Sequence, residues 1–187
     1  MSDRGNPWVV ETAEPASVPA EAPRRRWAPG AEVHVSGGLP VVWTASETDL
    51  WVVGAHGGAG ATSWAHLLRA GDAGAAWPNP GRSVKVLVVA RRNHAGLARA
   101  RQAAMQWAQG GPLAHVDLVG LLVAADAPGR GPKALRDEAR LTAGAFPTVI
   151  EVGWVDAWRL EEAWECPAPR DVRRAVAQVQ ELRREHA

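Results

Sequence analysis

A glycine-rich turn between an apolar segment and a predicted helix has the pattern of a phosphate-binding loop. The turn follows Trp51-Val52-Val53 and has glycines at positions 54, 57, 58 and 60. Glycine lets the backbone approach a phosphate closely, so that N–H groups at the start of a helix can surround the anion. We therefore predict a phosphate or nucleotide site lined by Gly57, Gly58, Ala59, Gly60, Ala61, Thr62 and Ser63.

The side chains of this turn supply less charge than a phosphate-binding loop normally has. Such a loop has Gly, four residues, Gly, Lys and then Ser or Thr, and its lysine reaches the terminal phosphate. Here Ala61 occupies the lysine position, and the first glycine is displaced because position 55 is alanine. Thr62 keeps the hydroxyl group that would face Mg²⁺. The expected cofactor is ATP with Mg²⁺, and the alternative is that the loop binds none.

Further candidates follow the other predicted strands, because ligands of a parallel sheet bind beyond the carboxyl ends of its strands. Arginine binds phosphate well and could replace a missing lysine. Each absent lysine costs about 100- to 1000-fold in rate, so we expect binding without hydrolysis and assign no catalytic residue. The accessory candidates are His56, Arg91, Arg92, Asp126 and Arg130.

Each of these features also has a purely structural interpretation. The glycine loop could be only a tight strand-to-helix turn, Asp126 could only cap a turn, and Arg91 and Arg92 could be solvated. The histidines at positions 34, 66, 94 and 115 lack the spacing and the carboxylate neighbours of a metal site. We therefore assign no metal ligands.

Four apolar segments predict the strands of a mostly parallel sheet, because continuous apolar runs are typical of strands that are covered on both faces. Amphipathic segments predict helices, the second of which begins at the capping residue Asn93. The predicted strands are residues 50–53, 84–90, 116–125 and 148–152, and the predicted helices are 61–70, 93–109, 132–143 and 169 onward. This alternation predicts an α/β fold of three αβα layers.

The remaining segments are less regular. Residues 32–35 and 40–44 predict two short edge strands or an extended arm, and 77–81 predicts a turn because it contains two prolines. The predicted domain organisation is a disordered leader at 1–30, the α/β domain at 31–165 and a C-terminal amphipathic helix at 166–187.

Composition limits the classes of partner and the compartment. The 187 residues include 21 basic and 20 acidic groups, and the net charge of +1 gives no global electrostatic case for nucleic acid. The single cysteine, Cys166, excludes an intramolecular disulfide and a cysteine zinc site, and it favours a reducing cytoplasm. No apolar run is long enough to predict a membrane span.

The segment His56-Gly57-Gly58-Ala59-Gly60-Ala61-Thr62 resembles the deviant Walker A motif of the MinD/ParA/CpaE-like P-loop ATPases, which is KGGxGK followed by T or S. His56 and Ala61 stand at the two lysine positions of that motif. The chain also resembles a group of proteins from GC-rich bacteria in which this loop is degenerate. The resemblance implies a truncated, P-loop NTPase-like fold that is often dimeric and that positions or regulates other machinery.

Two alignments to this superfamily compete for Asp126. In the first, residues 116–129 correspond to the Walker B strand, and Asp126 supports Mg²⁺ and its water. In the second, residues 84–91, 121–126 and 147–154 correspond to later strands, and the segment with Walker B is deleted. We favour the second, because only about twenty residues separate the loop helix from the end of the next strand.

The function that follows is a cytoplasmic, nucleotide-binding pseudo-ATPase that regulates or positions other machinery. The resemblance implies secretion, conjugation or partition as the process, a protein partner, and a homodimer as one option. Two alternatives remain open. One is an active ATPase that uses Arg91, Arg92 or Arg130 in place of lysine, and the other is a nucleotide-free interaction scaffold.

Overall fold

The computed structural model describes residues 38–185 of the chain. The predicted leader at 1–30 and the predicted strand at 32–35 lie outside the described residues. Within 38–185, no helix is both long and apolar enough to cross a membrane.

Strands and helices alternate along the described chain, as its apolar and amphipathic segments predict. The predictions at 50–53, 84–90, 116–125 and 148–152 are confirmed as strands, each to within one residue at either end. In chain order the elements are β1 (Val41–Trp43), β2 (Leu50–Gly54), α1 (Ala61–Leu68), β3 (Gly71–Asp72), β4 (Trp77–Asn79), β5 (Val84–Arg91), α2 (His94–Ala108), β6 (Val116–Ala124), α3 (Lys133–Ala143), β7 (Val149–Val152) and α4 (Arg170–Glu185).

A five-stranded sheet forms the middle layer of the fold. Its strand order is β3-β2-β5-β6-β7, and every neighbouring pair is parallel. Helices α2 and α3 pack on one face, whereas α1 and α4 pack on the other. Because both faces are covered, β2, β5 and β6 are almost entirely buried. The prediction of a three-layer αβα fold with a mostly parallel sheet is therefore confirmed.

The segment 77–81 is not the simple turn that its two prolines predict. Trp77–Asn79 forms β4, which pairs in parallel with β1 in a second, two-stranded sheet. Trp77 is fully buried, and its indole N–H donates to Gln106 Oε1 at 3.0 Å. Burial of this large ring holds the segment extended. The turn is confined to Pro80 and Gly81, where the Gly81 N–H donates to Asn79 Oδ1 at 3.1 Å.

The first helix ends two residues earlier than predicted. Arg69 follows α1 in the left-handed conformation at φ 51°, and Gly71 and Asp72 then form β3 beside β2. A Cβ atom at Gly71 would lie 2.5 Å from the Trp51 ring, so glycine is needed for this close approach. The short strand places Asp72 next to β2, the strand that leads into the glycine loop.

Candidate functional site

The glycine loop connects the end of β2 to the first residue of α1. Gly58 and Gly60 have φ values of 75° and 97°, a backbone region that residues with a side chain rarely adopt. Ala59 is buried between them, and its N–H donates to the His56 carbonyl oxygen at 3.3 Å. The two glycines thus let the chain reverse tightly and enter α1 at the carboxyl edge of the sheet.

The first turn of α1 presents unpaired backbone donors at this edge. Within residues 38–185, the N–H groups of Ala61, Thr62 and Ser63 have no hydrogen-bond acceptor, and Gly60 provides no side-chain cap. These groups form the positive end of the helix dipole. Gly58 beside them is exposed. The loop therefore has the backbone donors that an anion needs.

The residue at the lysine position of the loop belongs to the core. Ala61 is 8% exposed and packs with buried residues of α1 and α4. Its methyl group supplies no charge to the loop. The cation that normally contacts the terminal phosphate is therefore missing from this position.

An exposed hydroxyl–carboxylate pair lies beside the loop. Thr62 Oγ1 donates to Asp72 Oδ2 at 2.7 Å, and Asp72 Oδ1 accepts the Gly74 N–H at 2.8 Å. Mg²⁺ prefers oxygen ligands, and proteins commonly hold it through one or two carboxylates together with substrate phosphates. The Thr62–Asp72 pair therefore fits a magnesium ion that also contacts a phosphate in the loop.

Sequence reasoning missed Asp72 and considered Asp126 for this role. Asp126 follows β6, and β5 lies between β6 and β2 in the sheet, so the structure does not bring Asp126 to Thr62. Asp72 lies on the other side of β2. The pattern Gly71-Asp72-Ala73-Gly74 indicates only the end of a helix, because a strand of two residues has no periodicity.

His56 connects the loop to the neighbouring strand and helix. Its Nδ1 lies 2.8 Å from the Gly57 carbonyl oxygen, and its Nε2 accepts the Arg91 backbone N–H at 3.3 Å. The first contact uses the N–H of Nδ1, and the second uses the lone pair of Nε2. Gly96 of α2 packs on this ring, since a Cβ atom there would lie 3.0 Å from Nε2. His56 therefore links the loop to β5 and α2.

Arg91 is the accessory candidate that the structure places against the loop. Its Nε lies 3.5 Å from the Gly58 carbonyl oxygen, and its Nη1 donates to the Ala125 carbonyl oxygen at 3.2 Å. The guanidinium group thus bridges the loop and the end of β6, and it keeps further N–H donors. A cavity of about 50 Å³ beside it is lined by Trp154 and Trp158.

Arg92 and Arg130 line a different cavity. It has a volume of about 380 Å³, lies against α3 at the ends of β5 to β7, and contains no residue of the glycine loop. Arg92 Nη1 lies 3.5 Å from Glu151 Oε2 in this cavity. Successive side chains of a strand point to opposite sides, so Arg91 and Arg92 separate at the end of β5. Of the arginines that follow the strands, Arg91 therefore lies at the glycine loop, whereas Arg92 and Arg130 lie in the cavity against α3.

The tryptophans near this edge make contacts within the fold. Trp158 packs edge-on against the buried Trp64 with ring centroids 5.6 Å apart, and Trp164 stacks on His66 at 4.3 Å. The Trp154 indole N–H donates to Asp156 Oδ1 at 2.7 Å. Trp64 and Trp158 thus place aromatic rings close to the loop helix, where they can report on its environment.

No group of three or more His, Cys, Asp or Glu side chains suitable for a metal ion occurs within residues 38–185. His94 lies 3.1 Å from Glu138 Oε2, and Arg101 donates to Glu138 Oε1 at 3.0 Å. Hydrogen bonds from His94 and Arg101 hold the pKa of Glu138 below its usual value. His115 contacts the Pro78 carbonyl oxygen at 2.8 Å. These histidines thus belong to local polar contacts between elements.

Comparison with known proteins identifies one family that the sequence of the chain matches. The chain matches the model of a family described as a family of unknown function (DUF6668) over residues 48–176. This range covers most of the chain. It includes the glycine loop, Asp72 and the strand ends that line the two cavities. No curated protein and no solved structure matches the chain.

Proposed function

We propose that this chain, which belongs to the DUF6668 family, is a nucleotide-binding pseudo-ATPase. The observation that carries the proposal is the glycine loop at the start of α1, with Gly58 and Gly60 in left-handed conformations and the Thr62–Asp72 pair beside it. Backbone donors and a magnesium-binding pair together suit the phosphates of ATP with Mg²⁺.

The site keeps the groups that bind a nucleotide but lacks those that hydrolyse it. The N–H groups of Ala61, Thr62 and Ser63 hold the phosphates, and Thr62 with Asp72 holds Mg²⁺. Mg²⁺ supplies charge neutralisation to the phosphates. Ala61 and His56 stand at the two lysine positions, so neither lysine cation is present. Because each such preorganised cation contributes about 100- to 1000-fold in rate, nucleotide hydrolysis is lost while nucleotide binding remains.

A protein that binds ATP without hydrolysing it can signal only by whether its nucleotide site is filled or empty. The loop contacts β5 and α2 through His56 and Arg91, so a ligand in the loop lies next to both elements. The role is regulation or positioning of a protein partner in the cytoplasm, by resemblance to the MinD/ParA-like ATPases. Secretion, conjugation and partition machineries are the partners that this resemblance implies, and a homodimer fits the same role.

Titration of the full chain with ATP and Mg²⁺ tests the proposal. Intrinsic fluorescence reports binding because Trp51 and Trp64 flank the loop, and calorimetry confirms it. Asp72→Asn is expected to weaken binding of ATP with Mg²⁺ by roughly 10- to 100-fold, as for other residues that orient a metal site. Asp126→Asn is the matched control, since Asp126 is also an exposed aspartate at the end of a strand, and it is expected to leave the affinity unchanged.

Two results would refute the proposal. If neither fluorescence nor calorimetry changes at millimolar nucleotide, the chain does not bind nucleotide, and the interaction scaffold is the remaining hypothesis. Equal weakening by Asp72→Asn and Asp126→Asn would place the ligand elsewhere than at the Thr62–Asp72 pair.

Arg91 supports a second candidate function, an active ATPase. Its guanidinium group already lies against the Gly58 carbonyl oxygen and could turn toward a terminal phosphate. Phosphate release is the assay. Release by the wild type well above that of the Thr62→Ala and Arg91→Ala variants would establish the ATPase and overturn the pseudo-enzyme. Equal release by all three supports the pseudo-enzyme.

A further inference from the structure

The cavity of about 380 Å³ against α3 is the strongest feature that the nucleotide proposal does not use. Three separate parts of the chain supply its arginines: the end of β5, the connection after β6, and α3. The lining residues are Arg92, Gly129, Arg130, Arg136, Ala139, Arg140, Glu151 and Gly153. Four guanidinium groups therefore face a single carboxylate in one concave site.

The positive charge of this cavity is only partly compensated. Arg92 lies near Glu151, and Arg140 Nη1 donates to Asp137 Oδ1 at 3.2 Å. Asp137 also pairs with Lys133, which restores the positive charge that Asp137 removes. Arg130 has no hydrogen-bond or ion-pair partner within residues 38–185. An excess of three positive charges remains, although like charges gathered in one place repel each other.

The local backbone holds these arginines in place. Arg136 and Arg140 are four residues apart on α3, so both side chains lie on the same side of the helix. Arg136 Nη1 donates to the Gly131 carbonyl oxygen at 2.7 Å and thereby fixes the connection that carries Arg130 against α3. Gly129 and Gly131 on either side of Arg130 have positive φ values. The backbone of this connection thus places Arg130 beside the arginines of α3.

The lining of the cavity identifies the class of ligand. Guanidinium groups bind phosphate through paired hydrogen bonds, and three or more of them suit a ligand with several phosphate oxygens. The remaining lining residues are Gly129, Ala139 and Gly153, which offer no aromatic surface for a base. The volume lies within the range of small-molecule sites, which is about 300–1000 Å³.

We propose that the arginine cavity is a second anion site, separate from the glycine loop, which binds the diphosphate group of a small phosphorylated molecule. Arg130, Arg136 and Arg140 contact the phosphate oxygens, and Arg92 contributes from the base of the cavity while it stays paired with Glu151. A diphosphate balances the excess charge better than a monophosphate does.

Calorimetric titration of the full chain with pyrophosphate in the absence of Mg²⁺ tests this site. Pyrophosphate is expected to bind more tightly than inorganic phosphate. Arg130→Ala and Arg140→Ala are expected to weaken pyrophosphate binding by about tenfold each, since each removes a charge-assisted contact. Glu151→Gln removes the one acidic side chain that lines the cavity among residues 38–185, and it is expected to strengthen binding. Arg184→Ala, an exposed arginine near the end of α4, is the matched control and should change nothing.

The Gly60→Ala variant separates this proposal from the nucleotide proposal, because alanine is strained at φ 97° and so disturbs the glycine loop without touching the arginine cavity. Pyrophosphate binding that survives Gly60→Ala and falls in Arg130→Ala supports the second site, whatever the outcome with ATP. The proposal is overturned if pyrophosphate does not bind at millimolar concentration. It is equally overturned if Arg184→Ala weakens binding as much as Arg130→Ala, or if Gly60→Ala weakens binding and Arg130→Ala does not.

Discussion

Replacement of Gly96 by alanine tests whether the contact between α2 and the glycine loop is as close as the structure has it. Gly96 lies in the first turn of α2, where Asn93 Oδ1 accepts its N–H at 2.8 Å. A Cβ atom at this position would lie 2.3 Å from the Arg91 carbonyl oxygen and 3.0 Å from His56 Nε2. Arg91 is the last residue of β5, so its backbone cannot move without disturbing the sheet.

Two opposite effects decide the magnitude. Alanine in place of glycine inside a helix stabilises by about 1 kcal/mol. Insertion of a methyl group into a close-packed contact costs about 1–3 kcal/mol, and the backbone oxygen at 2.3 Å puts this contact at the upper end. The net expectation for Gly96→Ala is a loss of about 2 kcal/mol in the free energy of unfolding, or about 4–8 °C in Tm.

Urea denaturation followed by tryptophan fluorescence measures this change, and the matched control is Gly144→Ala. Gly144 follows α3 with φ −64°, and a Cβ atom there would meet its nearest neighbour, the Leu141 carbonyl oxygen, at 3.6 Å. This control is expected to be neutral or stabilising by up to about 1 kcal/mol. If Gly96→Ala is as stable as Gly144→Ala, the packing of α2 on His56 and Arg91 is refuted.

Two further predictions concern acid stability and the lysine position. Hydrogen bonds from Arg183 lower the pKa of Asp49 to about 2 from 3.8, so the pair stabilises above pH 4 and loses this contribution as pH falls toward 2. Because Asp49 is half exposed, the contribution is at most about 1 kcal/mol, and Asp49→Asn should remove it from unfolding curves at pH 6 but not at pH 2. Ala61→Lys should tighten ATP binding in calorimetry; because Ala61 is buried, urea denaturation first checks that this variant is folded, and unchanged affinity of the folded variant would indicate a loop that is structural only.

The layers of the fold can be predicted from the amino-acid sequence. Runs such as Val84–Arg91 and Val116–Ala124 consist mostly of valine, leucine and alanine, and such runs are stable only when both faces are covered. Local chemistry also fixed the start of α2, where the Asn93 side chain accepts the Gly96 N–H as the capping residue. The residues that give these signals lie close together in the sequence, so the signals can be recognised without knowledge of the tertiary structure.

Which polar residues come into contact depends on how distant segments pack. Asp72 reaches Thr62 because the two-residue β3 pairs with β2, and so short a strand leaves no pattern in the sequence. Trp77 forms a strand despite its neighbouring prolines, because a buried ring and its bond to Gln106 outweigh the turn preference. Arg91 and Arg92 are adjacent in sequence, yet the pleat of β5 and the placement of α3 send one to the loop and the other to the arginine cavity. The order of strands in a sheet depends on contacts between distant segments, and the residue types of any one segment do not encode it.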